Sequence, residues 1–129
     1  MSRILLVEPD TILGKNYQQV LVSVGHDVQR STSAAGALDA LDEQAIELIV
    51  LELLLGSHNG VEFLYEIRSY ADLQGIPVIV HSSVAPATVR SSPGYQLLGI
   101  QQYLYKSDTT QAQLIEAVED ALSANAARK

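Results

Sequence analysis

The sequence predicts an α/β domain, a doubly wound parallel sheet of five strands with helices on both faces. Three observations carry this. Short apolar runs alternate with stretches of helical periodicity along the 129 residues. The runs are too apolar for a sheet with one solvated face. Glu8, Glu52, Ser82 and Lys106 each follow such a run directly, and in a doubly wound sheet those strand ends converge on one crevice.

The elements follow in order. Ile4-Leu5-Leu6-Val7 reads as a buried strand, stopped by Glu8-Pro9-Asp10. Asp10 suits a helix N-cap, and Leu13, Tyr17, Val20, Leu21 and Val24 recur at helical spacing until Gly25. Asp27 to Arg30 is a weak strand at a sheet edge, and Ser33 opens an Ala-rich helix with Ala34, Leu38 and Leu41 on one face. Leu48 to Leu51 forms the third strand and delivers Glu52 into a Gly-punctuated loop. Asn59, with Glu62 three residues on, starts a helix that buries Val61, Leu64 and Ile67.

Ile76 to Val80 is the fourth strand, with Pro77 at its entry, where no ladder donor is needed. Between Ala85 and Leu98, Pro86, Pro93 and Gly94 allow only a short or broken helix, placed in the second half. Tyr103-Leu104-Tyr105 is the fifth strand. Thr110 and Gln113 form a capping box for a last helix that buries Leu114, Ala117, Val118, Ala121 and Leu122. The chain is read as one domain, residues 1–129, with its core over about 3–123 and a short tail at 124–129.

Bulk properties exclude several functions. The 47% hydrophobic content supports a core without staples, and the absence of cysteine removes thiol chemistry and Cys-based zinc sites. A net charge of −7, with eight scattered Lys and Arg residues, offers no basic stripe for nucleic acid. No stretch reaches the length of a membrane span and the first residues lack the pattern of an export signal, so a cytoplasmic location is expected. No Gly-rich strand-to-helix loop is present to hold a nucleotide. His58 and His81 lack the spacing of metal ligands, and Ser82 with His81 cannot form a triad because adjacent strand residues face opposite sides.

The pattern of Glu8-Pro9, Glu52, Ser82 and Lys106 after four strands resembles the response-regulator receiver domain, the CheY-like, flavodoxin-like phosphoacceptor module of two-component signalling. The flanks are similar too. Glu52-Leu-Leu-Leu-Gly-Ser-His-Asn-Gly60 resembles Asp-Leu-x-Leu-Pro-x-x-x-Gly, and Gly99-Ile-Gln-Gln-Tyr-Leu-Tyr-Lys106 resembles Gly-Ala-x-x-Tyr-Leu-x-Lys. The resemblance covers about residues 3–123. It implies the strand order 2-1-3-4-5, Glu52 in the phosphoacceptor position, Ser82 and Lys106 as its conserved companions, and Tyr103 as the switch aromatic. It also makes the face of the fourth helix, fifth strand and last helix the switching and homodimerisation surface.

Two departures carry the functional expectation. The family holds Mg²⁺ with two acids after the first strand and the phosphoacceptor. Pro9 stands in place of the second acid, and Asp10 is read as the helix cap, so no cofactor is expected and Mg²⁺ at Glu8 and Glu52 should be weak. Glu52 is longer than aspartate by one methylene, about 1.5 Å, a misplacement that in-line transfer tolerates poorly. The same length carries its charge toward the phosphoryl volume, within reach of Ser82 and Lys106. Leu54 and Val84, two positions beyond Glu52 and Ser82, are expected to limit access.

The favoured reading is a binding module rather than an enzyme: a stand-alone receiver that acts on a histidine kinase or downstream regulator through protein contacts, without phosphorylation. Its short C-terminal tail leaves no room for an output domain, so output is expected through a surface. The alternative is a phosphoacceptor with residual Mg²⁺-dependent transfer from a histidine kinase. A flavodoxin-like cofactor binder rests on fold analogy alone.

Overall fold

The structure is a computed structural model and describes residues 2–56 and 58–127. Ser57 in the Glu52 loop, the His58 side chain, and residues 128–129 of the predicted tail lie outside the described residues. A short antiparallel pair, Leu54–Leu55 with His58–Asn59, lies in the loop after the third strand of the main sheet, and the main sheet consists of β1 (Arg3–Val7), β2 (Asp27–Ser31), β3 (Leu48–Leu51), β4 (Val78–Ser82) and β5 (Ile100–Tyr105). These five pair in parallel, in the spatial order β2-β1-β3-β4-β5. The helices are α1 (Thr11–Ser23), α2 (Ala34–Glu43), α3 (Gly60–Arg68), α4 (Pro86–Arg90) and α5 (Gln111–Ala127). The predicted fold class and strand order both hold.

Every residue of β3 and β4 is buried, because these central strands are covered on both faces. One face buries Leu5, Val7, Ile49, Leu51, Val78 and Val80 together with residues of α2 and α3. The other buries Ile4, Leu6, Leu48, Val50 and Ile79 together with Leu21 of α1 and Leu114 and Val118 of α5. Alternation along each strand sends successive residues to opposite cores, which is why the runs read as continuously apolar.

The predicted caps are formed. Asp10 accepts from the Leu13 amide at 2.9 Å, and Ser33 accepts from the Gly36 amide at 3.1 Å. Asn59 accepts from the Val61 amide at 2.8 Å. The Thr110–Gln113 box is reciprocal, with contacts of 2.8 and 3.1 Å. Gly60 answers a close approach: a Cβ there would lie 2.7 Å from the Leu53 Cα, on backbone that cannot yield.

Four expectations are corrected. The helix between Ala85 and Leu98 lies in the first half, as α4, while Tyr95–Leu98 forms a single 3₁₀ turn. Proline is tolerated at the first helical position, so Pro86 starts α4, whereas Pro93 and the left-handed Gly94 separate it from the next turn. β4 runs from Val78 to Ser82, two residues beyond the expected 76–80, because Pro77 brings no amide to the ladder and Ser82 pairs with Tyr105. Leu13, in the first turn of α1, and Val24, its C-cap, are exposed, because they lie outside the stretch between the buried Gly14 and Leu21 that faces the sheet. Finally, β5 begins at Ile100, three residues before its aromatic run, because an edge strand can carry the exposed Gln101 and Gln102.

Candidate functional site

The C-terminal ends of β1, β3, β4 and β5 bring Glu8, Glu52, Ser82 and Lys106 together. Glu8 and Glu52 are only 2% and 4% exposed, so each carboxylate needs partners inside the protein. Lys106 supplies both: its Nζ donates to Glu8 Oε1 at 2.6 Å and to Glu52 Oε1 at 2.8 Å. The second oxygen of Glu8 accepts from the Asp10 amide at 3.1 Å.

Glu52 is saturated. Besides Lys106, its Oε1 accepts from the Ser83 amide and the Ser83 hydroxyl, each at 3.2 Å. Its Oε2 accepts from the Ser82 hydroxyl and from the Leu54 amide, the latter at 3.1 Å. Burial pushes the Glu52 carboxyl up, but the hydrogen bonds from Lys106, Ser82 and the Leu54 amide outweigh it and hold the group below the ordinary carboxylate value. Burial likewise pulls Lys106 down, and its bonds to Glu52 and Glu8 leave it raised. Both directions favour the charged forms of Glu52 and Lys106.

A relay leaves this cluster. Ser82 Oγ, bound to Glu52, accepts from the Val84 amide at 3.0 Å, and the Val84 carbonyl accepts from the Tyr103 hydroxyl at 2.6 Å. Tyr103 is half-buried and packs against the core formed with α2 and α3. Burial raises its hydroxyl above the usual tyrosine value, so it remains a donor.

The residues present do not fit a magnesium site. Such an ion needs several oxygen ligands in near-octahedral geometry. Pro9 offers no side-chain oxygen, the Asp10 carboxylate caps α1, and the Lys106 ammonium sits between the only two carboxylates of the cluster. Among the described residues no group of three or more His, Asp or Glu side chains is arranged to hold a metal.

Leu54 and Val84 enter the site through their backbones. The Leu54 side chain is 57% exposed. It lines, with Val84 and Val89, a groove of about 500 Å³ whose walls also carry Asn59, Glu62, Thr88 and Ser92.

Sequence reasoning placed Glu8 at the site but missed three features: the contacts of Ser83, the pairing of Glu8 with Lys106, and the burial of His81. Ser83 stood only as a neighbour of Ser82, yet it donates twice to Glu52. Glu8 shares Lys106, a pairing across 98 residues that no local signal reveals. His81, set aside as a strand-end histidine, is 4% exposed and packs edge-on against Tyr17, with ring centroids 4.8 Å apart. Burial, followed by the nearby Lys106 charge, lowers it to about 4.

His81 gives a pH prediction. Its folded value lies below the ordinary 6.5, so the unfolded chain binds the proton first and stability is lost as pH falls from 6.5 toward 4. Between pH 7 and pH 5 the loss from this group is about 2 kcal/mol. Urea denaturation at the two pH values should register it, and His81→Leu should flatten the slope.

A five-stranded, doubly wound sheet with an acid–serine–lysine cluster at its C-terminal edge defines a class of α/β signalling module. The sequence matches the response regulator receiver domain over residues 4–119, and the chain belongs to that family. It is 31% identical over 87 residues to the alginate biosynthesis transcriptional regulatory protein AlgB of Pseudomonas putida, covering 67% of this chain and 19% of that protein. It is 28% identical over 128 residues to the transcriptional regulatory protein GlrR of Escherichia coli K12, covering 97% of this chain and 27% of that protein. The chain therefore spans only a fifth to about a quarter of these two relatives.

Among solved structures, a sensor protein from Polaromonas sp. JS666 superposes with a TM-score of 0.88 at 22% identity, covering 96% of this chain and 98% of the other. A CheY-like receiver domain protein from Methanospirillum hungatei superposes with a TM-score of 0.85 at 20% identity, covering 100% and 99%. Both share the fold. No helix among the described residues is long and apolar enough to cross a membrane.

Proposed function

We propose that this receiver domain signals through protein contacts without being phosphorylated, with Glu52 standing permanently in the acceptor position. The observation that carries the reading is the saturation of the Glu52 carboxylate by Lys106, Ser82, Ser83 and the Leu54 amide. Both oxygens are engaged in a buried site, and attack on a phosphodonor would require them to give up these donors. The Lys106 ammonium also stands between the two acids and supplies the positive charge they need.

The charge of Glu52 engages Ser82 and Lys106 as a bound phosphoryl group would. Through Ser82 and Val84 it supports the inward hydrogen bond of Tyr103. In this reading the domain is held in one signalling state, its output is the face formed by α4, β5 and α5, and its partners are a histidine kinase or a downstream regulator. Neither a magnesium ion nor another cofactor takes part.

Incubation of the chain with a small phosphodonor and Mg²⁺, followed by intact mass measurement, is expected to give no adduct. A phosphoryl group on Glu52 would instead establish residual phosphoacceptor chemistry. Pro9→Asp combined with Glu52→Asp should restore both Mg²⁺ binding and phosphorylation, because it returns the missing oxygen ligand and withdraws the extra methylene.

A further inference from the structure

We propose that Asn59–Gly60 is a site of spontaneous deamidation, locked while the short antiparallel pair that carries Asn59 is closed, and that its isoaspartate product detaches the Leu54 amide from Glu52. Asn59 and Gly60 form the only Asn–Gly step in the chain. The fold requires both residues. The Asn59 side chain accepts from the Val61 amide at 2.8 Å at the start of α3. Gly60 is buried, and a Cβ on it would lie 2.7 Å from the Leu53 Cα and 3.2 Å from the Glu52 carbonyl oxygen. A reactive step is therefore built into the loop that follows Glu52, and Asn59 stands exposed to water.

An asparagine followed by glycine deamidates because no Cβ shields the next amide nitrogen. The Gly60 nitrogen gives up its proton and bonds to the Asn59 Cγ. Nδ2 leaves with that proton as ammonia, and a five-membered imide remains. Water then opens the ring. Attack at Cγ restores the main chain with an aspartate side chain, whereas attack at the main-chain carbonyl leaves the chain running through Cγ as isoaspartate. Ammonia is exchanged for water, and no other reactant is needed.

Three features hold the closed form unreactive. The Gly60 N–H donates to the Leu53 carbonyl at 2.8 Å. Asn59 pairs with Leu54 in the antiparallel ladder. The Asn59 ψ of 129° turns the Gly60 nitrogen away from Cβ, whereas ring closure needs that nitrogen nearly eclipsed with Cβ. Opening must release all three together, so conversion in the folded chain follows the small open population. The product reaches Glu52. Isoaspartate adds a methylene to the main chain just before Gly60, opposite Leu54, whose amide donates to Glu52 Oε2 at 3.1 Å. Aspartate adds none and accepts from the Val61 amide as asparagine does, so it leaves this contact in place.

The test incubates the full chain in mildly alkaline buffer with and without urea. Unlabelled protein is followed by intact mass, peptide mapping and methylation by an isoaspartyl methyltransferase, and ¹⁵N-labelled protein by its amide spectrum. Conversion should fall on Asn59 rather than Asn16 or Asn125, and should run on the order of tenfold or more faster in urea. Asn59→Ser, which retains a capping hydroxyl, should abolish it in both conditions. The chain converted in urea and refolded should show the Leu54 and Gly60 amide resonances displaced, whereas Asn59→Asp should leave that of Leu54 in place. Equal rates with and without urea, conversion led by another asparagine, no conversion even in urea, or an isoaspartyl chain whose Leu54 resonance matches that of Asn59→Asp would each overturn the proposal.

Discussion

Replacing Lys106 with methionine is expected to destabilise the chain by about 3–5 kcal/mol at pH 7, the cost of leaving buried charges without their partner. The Lys106 ammonium bridges Glu8 and Glu52, carboxylates that are almost wholly buried. Without it the two acids face each other, and burial together with mutual repulsion favours protonation of one of them. The deficit should then shrink with acid.

The sign follows from the two proteins separately. In the wild type the lowered Glu52 contributes stability above the ordinary carboxylate value and loses it as pH falls through the folded value. In Lys106→Met a raised carboxyl makes the folded state bind protons more readily than the unfolded chain, so falling pH stabilises it. Urea denaturation of both proteins at pH 7 and pH 5 should show the difference narrowing. Adding Glu52→Gln to Lys106→Met should recover part of the loss at pH 7 by removing one of the stranded charges. A deficit that neither changes with pH nor responds to the second substitution would attribute the cost to the packing of the lysine stem.

Arg68→Met is expected to cost about 3 kcal/mol or more, through carbonyls left without donors. Arg68, the last residue of α3, reaches across the far end of the sheet and donates to five backbone carbonyls. Its Nε meets Leu98 O at 2.9 Å and its Nη2 meets Gly99 O at 3.1 Å. Its Nη1 meets Leu73 O, Gln74 O and Ile76 O at 3.2, 3.1 and 2.9 Å. One planar fork thus ties together the segments that lead into β4 and β5. Burial lowers Arg68 from its ordinary value, and no carboxylate pairs with it among the described residues, so these carbonyl dipoles are its compensation.

Lysine cannot reproduce the fork, so Arg68→Lys should recover only a minority of the loss. Amide exchange should quicken at the starts of β4 and β5 in both variants. Gly99 belongs to the same device, because a Cβ there would stand 2.7 Å from the Arg68 Nη2. Its positive φ of 69° also suits glycine.

The parts of the fold written in short-range pattern could be read directly. Leu48 to Leu51 and Val78 to Val80 announce central strands, because a strand buried on both faces has no polar position to interrupt it. Asp10, Ser33, Asn59 and Thr110 announce helix starts, because a cap bonds to an amide two or three residues away. Pattern was weaker at α4, where two prolines and a glycine marked a break without saying which side of it would stay helical.

The cluster was half legible. Glu52, Ser82 and Lys106 each follow a strand, so a parallel sheet had to gather them at one edge. The sequence by itself determined the sheet, its wound topology and the gathering of these polar ends, since all three depend on the order and periodicity of the chain. Only the tertiary structure decided that Lys106 is shared with Glu8, that Ser83 joins Ser82 on Glu52, that His81 is sealed beneath Tyr17, and that Arg68 holds the opposite end. Those outcomes depend on distances of a few ångströms between side chains far apart in sequence, and no local pattern encodes such distances.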